Sequence, residues 1–272
     1  MQALPQAAFF LLIEAAVGGV IVLFWVHLRG EVSRGFTLFT GVSFLICTGL
    51  AIWLRTAFPP LVILDPAAAL WFAVERTLSI AFAVLLAIYL IGLWFEERWR
   101  GVTRLVGPLV PLLGLAALWA AALVDASPQL LGLGAPLAVL AGAMALGSAL
   151  TGLSLGHWYL VTPTLSVRPL IQVTFVCLGS LVAQLVLLPL LLLLPGAPPD
   201  RLQALFSDYL VFLGVRVVFG LLVPLITAVM TWRTARIRSL DSATGLLYIV
   251  AALILAGEIA ARTLQFMTGI AT

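Results

Sequence analysis

Eight apolar runs, each about 20 residues or longer, dominate this 272-residue chain. A helix that crosses a bilayer core needs about 20 mostly apolar residues. The runs lie near 6–28, 36–54, 67–95, 104–124, 129–161, 170–194, 205–231 and 244–267. No water-facing fold can hide so much apolar surface. Hydrophobic residues make up 63% of the chain, charged residues 9%, and mean hydropathy is +1.21, whereas soluble domains are near half apolar and a quarter charged. In hydrocarbon every backbone polar group needs an internal partner, and a helix supplies those partners within one run. The expected fold is an all-α integral membrane protein. It forms a single transmembrane domain over residues 1–272, a bundle of about eight helices.

The breaks between runs carry loop chemistry. Arg29-Gly30 closes the first run, and Pro59-Pro60 interrupts the second connection. Asp65-Pro66 reads as an N-cap followed by proline at the first helical position, and Ser127-Pro128 repeats the device. The stretch 195–200, with three prolines and a glycine, is the clearest loop. The third and fifth runs exceed the bilayer thickness, which predicts tilt or extension into water. Trp99-Arg100 after the third run and Trp232-Arg233 after the seventh form a short internal echo, compatible with two four-helix halves.

Arginine supplies every basic side chain, fourteen in all. Nine lie in the connections after runs 1, 3, 5 and 7, and only Arg55 and Arg201 lie in the alternate connections. The positive-inside rule then predicts both termini outside. The same clustering in short loops makes these arginines topology signals and excludes a nucleic-acid surface. Tryptophans fall near the ends of the runs, as in the aromatic belts of membrane proteins. The first run lacks a basic leader and is long enough to span, so it reads as a helix and not as a cleaved signal. Cys47 and Cys177 sit singly in apolar runs without metal-ligand spacing, so no metal site is expected.

Ionisable groups inside a membrane are costly and therefore informative. Glu14, Glu75, Arg76, Asp208, Arg216, Glu258 and Arg262 all fall in the outer half of their runs. At 1.5 Å per residue, Glu14 and Glu75 lie roughly 12 Å below the outer surface. Four acids and three bases at one depth predict mutual pairing, and Glu258–Arg262 has the favourable four-residue order. Such a layer serves either to bind the bundle together or to exchange protons with a small substrate. Run 5 carries a small-residue stripe, Ala141, Ala145, Ser148, Gly152 and Gly156, suited to close helix packing. His157-Trp158-Tyr159 follows it near the inner face. His157 is a candidate quinone partner, proton carrier or haem ligand, or simply part of an interfacial anchor. With His27 it makes bis-histidine haem b ligation conceivable, although the chain has only these two histidines and no C-x-x-C-H, so haem is not expected.

Several of these residues resemble a known family. Ala256-Gly257-Glu258, Arg262 four residues later, Phe266 and Met267-Thr268-Gly269 look like the last helix of the membrane anchors of the dimethyl sulfoxide reductase family. Glu14 followed by Ala16-Val17-Gly18-Gly19 resembles that family's first helix, and Glu75 falls where its third helix carries a glutamate. Where the family has a histidine after the second helix, this chain reads Arg55-Thr56-Ala57-Phe58-Pro59-Pro60. The resemblance implies a menaquinone- or ubiquinone-interacting subunit of a respiratory complex in a bacterial inner membrane. It further implies an iron–sulfur partner and a molybdopterin or cytochrome catalytic subunit.

On this reading Glu258, Glu14 and Glu75 are the expected proton-exchanging residues. Glu258 is the most sensitive position, and Arg262 is the one cofactor-binding group that the resemblance carries over; Arg76, Arg216, His157 and Tyr159 are expected cofactor-binding groups from their places in the runs alone. The alternatives are a proton-coupled small-molecule transporter and a non-catalytic scaffold of an electron-transfer or photosynthetic complex. Against transport, no run shows the paired Gly/Pro interruptions of broken transporter helices, Pro224 being the nearest approach.

Overall fold

The computed structural model describes residues 3–60, 65–95, 98–125, 129–162, 165–193, 196 and 198–272. Eight of its helical spans are long and apolar enough to cross a membrane, so the chain is a multi-pass α-helical membrane protein. The helices are α1 (Ala3–Leu28), α2 (Arg34–Ala57), α3 (Pro66–Trp94), α4 (Arg100–Val106), α5 (Leu109–Val124), α6 (Gly134–Val161), α7 (Arg168–Leu193), α8 (Pro199–Ser207), α9 (Leu210–Gly214), α10 (Val223–Arg236) and α11 (Leu240–Thr268). The pair α4–α5 makes one span, interrupted at Gly107-Pro108. A π-helical stretch, Val215–Leu222, fuses α9 and α10 into another.

Local chemistry sets many of the boundaries. Ser33 caps α2 by accepting from the Phe36 amide at 3.2 Å. Asp65 caps α3 by accepting from Ala68 at 3.1 Å, with Pro66 opening the helix as expected. Gly269 ends α11 in the left-handed region at φ 70°, and its amide reaches Gln265 O at 2.8 Å. The corresponding Ser127-Pro128 device lies outside the described residues.

Two expected boundaries move. Residues 129–132 do not join the fifth span; they form a short 3-10 turn in which Leu130 and Leu131 take φ of 49° and 57°. Gln129 ties this turn to distant residues, donating to Leu191 O at 2.8 Å and accepting from the Ala271 amide at 2.6 Å. The helix starts at Gly134, which places Pro136 in the first turn, where no amide is needed. In the seventh run, 205–231 is not continuous. α8 ends when the Asp208 and Tyr209 amides both turn back to Ala204 O, and a new helix begins at Leu210. Asp208 is exposed at this break and leaves the expected intramembrane layer. The π stretch then runs up to Val223-Pro224. Proline has no amide to give and crowds the carbonyl of the preceding turn, so the ladder opens there.

The spans pack as two four-helix rings. α1, α2, α3 and α4–α5 close one; α6, α7, α9–α10 and α11 close the other. The rings meet mainly through α1 against α6. On either side α1 touches α11 and α6 touches α5, so the two halves exchange equivalent contacts. Glycines allow the central approach. A Cβ on Gly18 would stand 1.8 Å from Ala143 O, and one on Gly147 would stand 2.1 Å from the Gly18 carbonyl carbon. The predicted small-residue stripe does pack closely: Gly156 faces Thr244 of α11, and Gly152 lies between Leu247 and Val173. Large exposed apolar side chains such as Phe39, Ile46, Val84, Phe175 and Ile226 stud the outer surface, as a lipid-facing surface requires.

Candidate functional site

Each ring encloses an arginine–carboxylate centre near the end that carries both termini. The centre in the second ring is closed. The wide turn of the π stretch carries Arg216, which is 1% exposed. Its Nη1 donates to Glu258 Oε1 at 3.0 Å, and its Nη2 donates to Gln184 Oε1 at 2.5 Å. Arg262 is fully buried. Its Nε stands 2.8 Å from Glu14 Oε1, its Nη1 donates to Gln265 Oε1 at 2.8 Å, and its Nη2 reaches Glu258 Oε2 at 3.4 Å. The expected i,i+4 pair is thus present, but the closer partner of each residue lies on another helix. Two acids and two bases neutralise one another across α1, α9–α10 and α11.

Packing seals this network. A Cβ at Gly142 would lie 2.6 Å from Glu258 Oε2. Gly220 and Gly257 bring their backbones together, so that a Cβ on Gly257 would stand 2.2 Å from the Gly220 Cα. The crevice beside Arg216, Gln184 and Thr272 has no room for a water molecule. Glu258 and Glu14 are 0% exposed. The geometry makes Glu258 a clasp between two guanidiniums, with no opening toward a substrate on its lining side at Gly142.

The centre in the first ring is open. Arg55, 3% exposed, points its Nε at Glu75 Oε2 at 3.1 Å. Its Nη1 donates to Gln6 Oε1, and its Nη2 lies 3.7 Å from Asp125 Oδ2. The guanidinium stacks over Phe9 at 4.3 Å, a cation–π contact strengthened where water is scarce. Gln6 is itself held by donating to Phe58 O at 2.7 Å. Burial pushes the Asp125 carboxyl above its usual range, and Arg55 pulls it back. Beside the ion pair lies a cavity of about 210 Å³ between α2 and α3, with Ile52, Arg55, Phe72, Glu75, Arg76 and Ser79 in its walls. Ser79 sits one helical turn beyond Glu75. It is 1% exposed, and its hydroxyl has no hydrogen-bond partner among the described residues. Arg76 is exposed at the margin of the cavity, next to the exposed Trp53 and Trp71 level of the surface.

Of the expected site residues, the structure therefore brings together Glu14, Glu258, Arg262 and Arg216 in one sealed network. It sets Glu75 and Arg76 on a separate cavity. His157 and Tyr159 are elsewhere, at the Arg-rich end. His157 is exposed, its Nδ1 is 3.3 Å from the Tyr248 hydroxyl, and it lines a second cavity with Phe39 and Ser154. Tyr159 is buried and spends its hydroxyl on Ser166 O at 2.5 Å, clamping the loop after α6. His27 lines a different cavity, with Tyr89 and Arg104. The two histidines thus face separate spaces.

Arg55, Asp125, Ser79, Gln6 and Gln184 were not among the expected site residues. Arg55 was the hardest to see, because it follows an apolar run and looks like a loop arginine. One signal was present: helices end at or before the residue preceding a proline, and the first proline after the run is Pro59. The helix thus has room to continue past Arg55, and it does so to Ala57.

No protein-family model matches this chain, and no curated protein matches it.

Proposed function

We propose that this chain is the quinone-interacting membrane subunit of a multi-subunit redox complex, with the quinone headgroup bound in the Arg55–Glu75 cavity. One observation carries the reading. A carboxylate, a guanidinium and an unpartnered hydroxyl converge on an apolar-walled space at the edge of the bundle. A cavity of about 150 Å³ suffices for a benzene ring, so about 210 Å³ suits a single quinone ring whose isoprenoid tail stays among the lipids. Ser79 offers a hydrogen-bond donor to one carbonyl oxygen. Glu75, paired with Arg55 on one side, is the group able to hold or release a proton at the ring. Phe72 and Ile52 supply the flat apolar contact, and Arg55 is fixed by Gln6, Phe9 and Asp125 so that Glu75 is oriented in turn.

A quinol bound there would release two electrons and two protons, the electrons passing to an iron–sulfur centre of a partner subunit, and reduction would reverse both flows. The remainder of the assembly, a molybdopterin or cytochrome catalytic subunit, belongs to the same proposal, as does placement in a bacterial inner membrane. The nine-to-two arginine asymmetry supports both termini lying on the outer side, near Glu75. An anion transporter is the second reading, favoured by the interruption of the seventh span at the π stretch, where Arg216 is buried. Against it, Glu258 and Gln184 already occupy that arginine.

The test is quinol oxidation or quinone reduction per assembled complex. Glu75→Gln keeps the shape and removes proton exchange, so turnover should fall at least about tenfold while the amount of complex holds. A photoreactive quinone analogue should label α2 and α3 around Ile52 and Phe72. Normal turnover in Glu75→Gln, together with labelling beside His157, would move the site to the other end of the bundle and overturn the proposal.

A further inference from the structure

We propose that the Arg-rich end of the first ring holds the phosphate of an anionic glycerophospholipid, in the cleft where α1, α3 and α4 meet. The cleft has a volume of about 180 Å³, and its polar wall is His27, Tyr89, Thr103 and Arg104. Tyr89 is the central observation. It is 5% exposed, and its hydroxyl has no hydrogen-bond partner among the described residues. A buried hydroxyl without a partner is disfavoured, and this one belongs to a residue that lines a cavity. Around it the other polar groups are held in place. The Thr103 hydroxyl donates to Arg100 O at 3.0 Å. The His27 ring stands edge-on to Tyr89 with centroids 6.2 Å apart, and its Nδ1 lies 3.4 Å from Thr37 Oγ1. Arg104 is exposed at the mouth.

This set suits a phosphate. A guanidinium offers paired donors to phosphate oxygens, and a phenol adds a single directed donor. The phosphate could in principle come from a lipid or from solution, and two features favour the lipid. The other walls are apolar, Phe24, Leu28 and Pro108, and they fit glycerol and the start of an acyl chain. Depth agrees as well. Tyr89 precedes the end of α3 at Trp94 by five residues, about 7.5 Å along a helix at 1.5 Å per residue, which is the level where headgroup meets acyl chain. Arg29, Arg98 and Arg100 stand at the same end and raise the local positive potential. The proposal is independent of the quinone reading, since it uses other residues at the other end of the ring.

The experiment uses the full chain in lipid nanodiscs. Native mass spectrometry and thermal unfolding compare phosphatidylglycerol with phosphatidylcholine, and inorganic phosphate is added to phosphatidylcholine discs as a separate arm. The wild type should retain phosphatidylglycerol at least about tenfold better than phosphatidylcholine and should be stabilised by it. Arg104→Gln and Tyr89→Phe should each weaken that preference about tenfold, in the range of one hydrogen bond to a charged group. In dodecyl maltoside free of phospholipid Tyr89→Phe should melt no lower than wild type, because the ring still packs and the lost hydroxyl bonds nothing there. Three results overturn the proposal: an undiminished preference in either variant, stabilisation by inorganic phosphate equal to that by phosphatidylglycerol, or a lower melting temperature of Tyr89→Phe in phospholipid-free dodecyl maltoside.

Discussion

Two arginines and two glutamates with no access to water set the energetics of individual residues here. Breaking a buried ion pair from one side leaves the other charge unpaired and costs about 3–5 kcal/mol. Glu258 is shared by Arg216 and Arg262, so Glu258→Gln removes the carboxylate paired with Arg216 and leaves Arg262 with Glu14 among the described ion pairs. Folded protein in the membrane should therefore drop severalfold, measured by fluorescence-detected size-exclusion chromatography, while turnover per assembled complex stays near wild type. Glu75→Gln should show the opposite pattern, losing turnover and keeping assembly, because a cavity adjoins Glu75 and Asp125 still faces Arg55. A turnover defect in Glu258→Gln at normal protein level would put the sealed network back in the chemistry. The Glu258–Arg262 pair was legible in the sequence because four residues make one helical turn. Depth along the runs also placed Glu14 and Arg216 in the same layer, but which partner each takes, and the part of Gln184, were not legible, since their separation along the chain carries no period.

At the scale of elements, the crossing of α1 and α6 is set by the absence of side chains at Gly18 and Gly147. Their backbones meet where even one added carbon would overlap a main-chain atom, and a main-chain atom cannot swing aside as a side chain can. Gly147→Val and Gly18→Val should each abolish a monodisperse elution peak. Gly179→Ala on α7 is the matched control, because no heavy atom lies within 4 Å of a Cβ added there. It should elute as wild type and unfold at the same temperature or slightly higher, given alanine's helical preference of about 0.8–1.0 kcal/mol over glycine. Elution of either valine variant like Gly179→Ala would contradict the packing at the centre. The spans themselves were read correctly from hydropathy, whereas the start of α6 and the break before α9 were misplaced. The chain turns at Leu130 and Leu131, beside Gln129, whose side chain is tied to Leu191 and Ala271, residues far along the chain. The 205–231 run looks continuous because the residues around Asp208 and Tyr209 are apolar enough on average to mask the turn.

Taken whole, the molecule is two four-helix rings joined along α1 and α6 and tied by the Glu14–Arg262 pair across the junction. Each ring satisfies its own backbone, and the arginine–carboxylate centre of the second ring takes Glu14 from α1 of the first. Co-expressed fragments 1–127 and 128–272 should therefore reassemble and co-purify, and Glu14→Ala in the first fragment should reduce recovery of the second severalfold. Failure to co-purify with both fragments present in the membrane would count against two separable rings. What the chain alone determined was its solvent: eight long apolar runs force eight helices, since a helix answers its hydrogen bonds within one segment. Charge position along those runs also pointed to buried ion pairs at one depth. Only the tertiary structure decided which carboxylate is enclosed and which borders a cavity. That difference arises from the distance between neighbouring helices. Facing glycines close the space beside Glu258, while Phe72, Arg55 and Ser79 leave it open beside Glu75.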